Sequence, residues 1–187
     1  MLVQDFISDI HSVTAEFKDT FGHLTPAQMN YKPNSSVWSV AQNIEHLIKV
    51  NDSYLPTFDA IEAGTNKLTF FGKFKWWQKM CGNMILKSVE PTREKKIGTF
   101  PIWQPAMSDS SENILDEFDA HHQGLCAVID RNKVHIENGV AIASPANANI
   151  AYTAAKALDI IVTHERRHLQ QAKEMLSLID AYEQSKA

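Results

Sequence analysis

The 187 residues carry 18 basic and 22 acidic side chains, a net charge of -4 at pH 7, and no basic surplus with which to neutralise nucleic-acid phosphates. Two cysteines, Cys81 and Cys126, are too few and too scattered for a disulfide scaffold or a cysteine-rich zinc knuckle. No run approaches the roughly 18 apolar residues that span a bilayer, and no basic-then-apolar leader opens the chain, so the expectation is a soluble, cytoplasmic protein of one domain over 1–187, without nucleic-acid or membrane partners.

Helical periodicity begins at once. Phe6, Ile10, Val13, Phe17 and Phe21 recur three or four residues apart, which predicts an amphipathic helix from about Leu2 to Phe21, closed by Gly22. Thr25-Pro26-Ala27-Gln28 reads as a capped helical turn, and Ser39-Val40-Ala41-Gln42 repeats that capping logic at the start of a second helix, expected to run to Ala63. Its stripe through Val40, Ile44, Leu47 and Ile48 leaves His46 on the shoulder of the apolar face.

Residues 64–108 form an irregular crossover. Phe70, Phe71, Phe74, Trp76 and Trp77 are mixed with lysines, and Pro91, Gly98, Pro101 and Pro105 prevent a long element. A short helix is expected around Lys75–Lys87, with the connection packed over the bundle or acting as a lid. A third helix fits 111–131. A loop with a small hairpin near Glu137-Asn138-Gly139-Val140 follows, and a fourth helix fits 150–182. Four helices without convincing strand pairs predict an all-α bundle with one long crossover.

Chemistry enters with His164-Glu165-Arg166-Arg167-His168. Two imidazoles at i and i+4 can reach one metal, and the pattern also matches the zinc-protease pentapeptide. Eight histidines in this length yield roughly 0.3 such pairs by chance, so the pair alone does not define a site. Glu165 falls near the centre of the apolar stripe and needs a partner there. It is the candidate catalytic residue, as a general base or as support for a ligand histidine, against the plainer reading of an ion pair. Asn43, one turn before His46, reads as a polar helix edge or as a residue facing the same pocket. Asp119-Ala120-His121-His122 and Glu165-Arg166-Arg167-His168 both have the carboxylate-x-x-His spacing of a di-iron bundle, for which Glu16 and Glu45 would have to supply the remaining ligands.

Leu24-Thr25-Pro26-Ala27-Gln28, Trp38-Ser39-Val40-Ala41-Gln42-Asn43-Ile44-Glu45-His46-Leu47 and the distant His164-x-x-x-His168-Leu169-x-Gln171 resemble the DinB-like superfamily over nearly the whole chain. The crossover at 64–108 looks longer and more aromatic than is usual there. The resemblance implies an up-down-down-up-type four-helix bundle in which His46, His164 and His168 hold one divalent metal, zinc or nickel, at one end of the core. It also implies a small-molecule substrate, with thiol-dependent transferase chemistry ahead of metal-dependent hydrolysis or a non-catalytic metal-binding role. A homodimer, with the aromatics near Trp76 and Trp77 at its interface, follows by analogy alone.

Overall fold

The computed structural model describes residues 2–92 and 98–185. Helix α1 spans Val3–Phe21, and its periodic residues Phe6, Ile10, Val13, Phe17 and Phe21 are all buried. Helix α2 (Pro26–Asn30) is one turn, capped by Thr25, whose side chain accepts from Gln28 N. Helix α3 (Val40–Asp52) opens on the expected box, with Ser39 accepting from Gln42 N.

The second helix does not reach Ala63 unbroken. It ends at Asp52, and α4 resumes at Leu55–Glu62. Pro56 is the reason: it has no N–H for the Asp52 carbonyl and its ring would clash with that turn, so it is accommodated in the first turn of a new helix. After a 3-10 turn at Phe71–Lys73, α5 runs Lys75–Ser88, close to the expected bounds. A second 3-10 turn, Pro101–Trp103, precedes α6 (Ile114–Arg131).

The expected loop after α6 holds more order than its sequence suggests. Lys133–Glu137 is a helical turn, α7, which ends at Gly139 with φ 72°, a left-handed conformation glycine adopts without penalty. Asn138-Gly139 therefore closes a helix instead of turning a hairpin. The hairpin lies downstream, with β1 (Ala141–Ser144) antiparallel to β2 (Asn147–Thr153), turning at Pro145-Ala146 and pairing Ala141 with Thr153 and Ile142 with Tyr152. Residues 150–153 are thus strand, and α8 runs Ala154–Gln184, capped by Thr153 accepting from Lys156 N.

The fold is helical with this one small sheet added. Helices α1 and α3 each pack on both α6 and α8, while α5 lies against β2 and α8. Gly82 permits that approach: a Cβ there would sit 2.7 Å from Lys156 Cγ and 3.1 Å from Tyr152 Cβ.

The apolar interior is in two parts. One cluster gathers Phe6, Ile10, Phe58, Leu125, Ile129 and Ile161; the other gathers Phe17, Phe21, Ile44, Leu47, Phe118 and Leu169. Each such side chain stabilises the fold by about 1.5–3 kcal/mol relative to exposure. Along each long helix, polar residues mark the boundary between them: Thr14 on α1, His46 and Asn51 on α3, His122 on α6, and His164, Glu165 and His168 on α8. The histidines belong to this middle belt, not to an end of the core as expected.

Candidate metal centre

Helix α3 supplies His46, and α8 supplies His164 and His168 one turn apart. The three Nε2 atoms converge: His46 to His164 is 3.4 Å and His164 to His168 is 3.0 Å. His46 and His168 are 2% and 6% exposed, while His164 is half-buried. Among the described residues, this is the group whose ligand atoms lie close enough to share an ion.

Hydrogen bonds set two of the tautomers. His46 Nδ1 donates to the Trp103 carbonyl oxygen at 2.7 Å. His168 Nδ1 donates to Asn43 Oδ1 at 2.8 Å, and Asn43 is itself oriented by donating to Ser39 O at 2.9 Å. Each neutral ring has one N–H, so with both Nδ1 protons committed outward, the Nε2 lone pairs of His46 and His168 point inward. A proton on His164 Nε2 can serve only one of these lone pairs at a time, whereas a cation between the three rings serves both. Bonds of about 2.0–2.1 Å at tetrahedral angles place ligand nitrogens about 3.4 Å apart, and the donor set fits a zinc-like ion on that measure. Trp38 walls the cluster, its ring 4.9 Å from that of His46 and stacked at 5.9 Å on that of His168.

Burial also keeps the rings neutral. Desolvation lowers all three from the ordinary histidine value, His164 to about 3 and His168 well below it. The sign for stability follows. In the unfolded chain these residues take up protons as pH falls through about 6.5, while His164 and His168 in the metal-free fold do not, so acid favours unfolding. We expect metal-free protein to lose stability progressively as pH falls from about 6.5 towards 4, where the unfolded chain charges these two histidines and the fold does not. Thermal melts against pH check this, and a flat profile in that window would contradict it.

Glu165 is fully buried but belongs to a separate network. Its Oε1 lies 3.0 Å from His122 Nε2 and accepts from Asn51 Nδ2 at 2.8 Å. Thr14 Oγ1 donates to Ile10 O at 2.9 Å, and so accepts from His122 Nδ1 at 2.6 Å. Residues from α1, α3, α6 and α8 are joined in this way. The arginines next to Glu165 in sequence are engaged elsewhere: Arg166 pairs with Asp9 at 2.6 Å, and Arg167 donates to Ser88 O and Glu90 O.

The carboxylates of the di-iron alternative are dispersed. Asp119 is bound to Lys18 at 2.6 Å, Glu16 to Lys173, and Glu45 to Lys49 at 2.8 Å. Glu45 also accepts from Ala106 N and Ser110 Oγ, fastening the chain beyond Trp103 to α3.

Asn43 is no polar edge. It is 2% exposed and orients His168. The Trp103 carbonyl escaped sequence reading because a backbone oxygen leaves no residue signature and its segment has no periodicity.

These features define a helical protein with a buried cluster of three histidines suited to a single cation. The sequence matches the model of the DinB superfamily over residues 9–172, a span containing all three histidines, and the chain belongs to that superfamily. No match is found among curated proteins or among solved structures.

Proposed function

We propose that this protein is a metal-dependent transferase that joins a small thiol to an electrophile, with one divalent ion, zinc or nickel, held by His46, His164 and His168. The observation that carries the reading is the inward convergence of three Nε2 atoms, two of them with their Nδ1 protons fixed by other groups. Three neutral nitrogen ligands leave a fourth position, at which a bound ion lowers the pKa of a water or thiol.

The chain's own residues have defined tasks in this scheme. The Trp103 carbonyl and Asn43 hold the His46 and His168 rings in the ligating tautomer. Trp38 shields the cluster from water. His164, the half-buried member, marks the side open to substrate. In the reaction the thiol releases its proton to solvent, its sulfur bonds to the electrophilic carbon, and the leaving group departs with the electron pair of the broken bond.

Thiol transfer is preferred to hydrolysis because the two carboxylates adjacent to the ligands are committed elsewhere: Glu165 to His122 and Asn51, and Glu45 to Lys49, Ala106 and Ser110. A hydrolase of this design needs a base for its water. A thiol, more acidic by itself, needs none at neutral pH.

The test uses protein purified without an affinity tag, its metal measured by elemental analysis, and assayed with an electrophile and a panel of cellular thiols. One equivalent of metal and thiol-dependent turnover are expected. Turnover of ester or amide probes without thiol would replace this reading by hydrolysis, and two equivalents of iron would remove it.

A further inference from the structure

The stretch from Lys67 to Lys87 contains five lysines, Lys67, Lys73, Lys75, Lys79 and Lys87, and no acidic residue; with a total of -4, the remainder of the chain is at -9. Its aromatics do not pack over the bundle as the sequence suggested. Phe70, Phe71, Phe74 and Trp76 are 70%, 56%, 41% and 58% exposed. They form one continuous surface cluster, in which rings run from Phe74 to Phe70, Phe71, Trp77 and Trp76 with centroid separations of 5.3–5.7 Å.

Helix α5 extends that cluster. Met80 and Met84 follow Trp76 at four-residue steps, so the three share one face, and both methionines are about half exposed. The opposite side of α5, at Cys81 and Gly82, is buried toward β2 and α8. Trp77 is pinned by its indole N–H, which donates to Asn149 O at 2.9 Å. The aromatic face is therefore held outward by a fixed support.

A contiguous apolar patch of this kind marks a binding surface. Its charge selects the partner. Pairing with a second copy through the same face would bring two sets of five lysines together, whereas an anionic bilayer attracts them. Tryptophan and phenylalanine settle at headgroup depth, and lysine stems lie along the apolar layer while their ammonium groups reach lipid phosphates.

We propose that the face formed by Phe70, Phe71, Phe74, Trp76, Met80 and Met84 docks reversibly on an anionic lipid bilayer, with Lys73, Lys75 and Lys79 meeting the lipid phosphates. The protein lies on the bilayer without crossing it, and no helix among the described residues is long and apolar enough to do so.

Co-sedimentation of the full chain with phosphatidylcholine vesicles, with and without phosphatidylglycerol, tests this. Binding is expected only to the phosphatidylglycerol vesicles, weakening with salt. Each lysine near such a surface is worth about fivefold in partitioning, so K73Q/K75Q/K79Q should bind about a hundredfold more weakly. F70S/F71S/W76S should abolish binding, and both variants alter exposed residues, so circular dichroism should match the parent. Failure to bind phosphatidylglycerol vesicles, or equal binding to both lipids, would overturn the proposal. A dimer that the same substitutions dissociate, without vesicle binding, would assign the face to self-association instead.

Discussion

Changing His46 to alanine is expected to remove stoichiometric metal binding. Only His164 and His168 then remain, and two adjacent ligands on one helix are a far weaker chelate than three converging from two helices. Asn43→Ala is the graded comparison: it spares all three Nε2 atoms but frees the His168 ring from its 2.8 Å tether. Losing such an orienting partner weakens metal binding by about 10–100-fold, and His46→Ala should exceed that. Competition titration against a chelator of known affinity measures both. Unchanged affinity in His46→Ala, with the helical signal intact, would refute the ligand assignment.

Glu165→Ala should be among the most destabilising single changes in the molecule. It strands His122, a fully buried imidazole whose Nε2 has only Glu165 to meet, and leaves Asn51 Nδ2 without its acceptor. Breaking a buried pair from one side costs about 3–5 kcal/mol, a large part of the roughly 5–15 kcal/mol that holds a typical domain. At this chain length the melting temperature should fall by roughly 10–15 °C. Glu165→Gln keeps one of the two bonds that meet at Oε1, to Asn51 or to His122 according to how its amide turns, and should cost less than the alanine change. Because no hydrogen bond joins Glu165 to a ligand histidine, the Gln variant should bind metal as the parent does; lost affinity there would restore the sequence-based reading of Glu165 as support for a ligand. The Glu165 and His122 substitutions should also be strongly non-additive, since either one empties the same interaction.

The parts of the fold legible in the sequence were those where a period repeats over several turns or a cap declares itself. Helix α1 was visible through its five apolar residues, and α2 and α3 through Thr25 and Ser39, whose side chains accept from the third residue of each helix. Pro56 carried the break after Asp52, but the apolar stripe continues through Leu55 and Phe58 and hid it. The hairpin was expected a few residues too early, because β1 is only four residues, two of them alanine, and β2 runs straight into α8 at Thr153 with no intervening turn. At the histidines, spacing alone revealed the pair on α8. His46 joined it through likeness to a family, since the packing of two helices is not written in local periodicity. What oriented the rings was least visible: Asn43 looks like any polar helix residue, and the Trp103 carbonyl is common to every amino acid.

The span between the ligands has a consequence for the order of events in the cell. His46 and His164 are separated by 118 positions. When a ribosome has made the first, the other two do not yet exist, and closing so long a loop costs entropy that the docking of α8 against α3 and its other neighbours repays. Nascent chains can therefore offer an ion no complete cage until α8 has been made. Loading waits on α8 finding its seat.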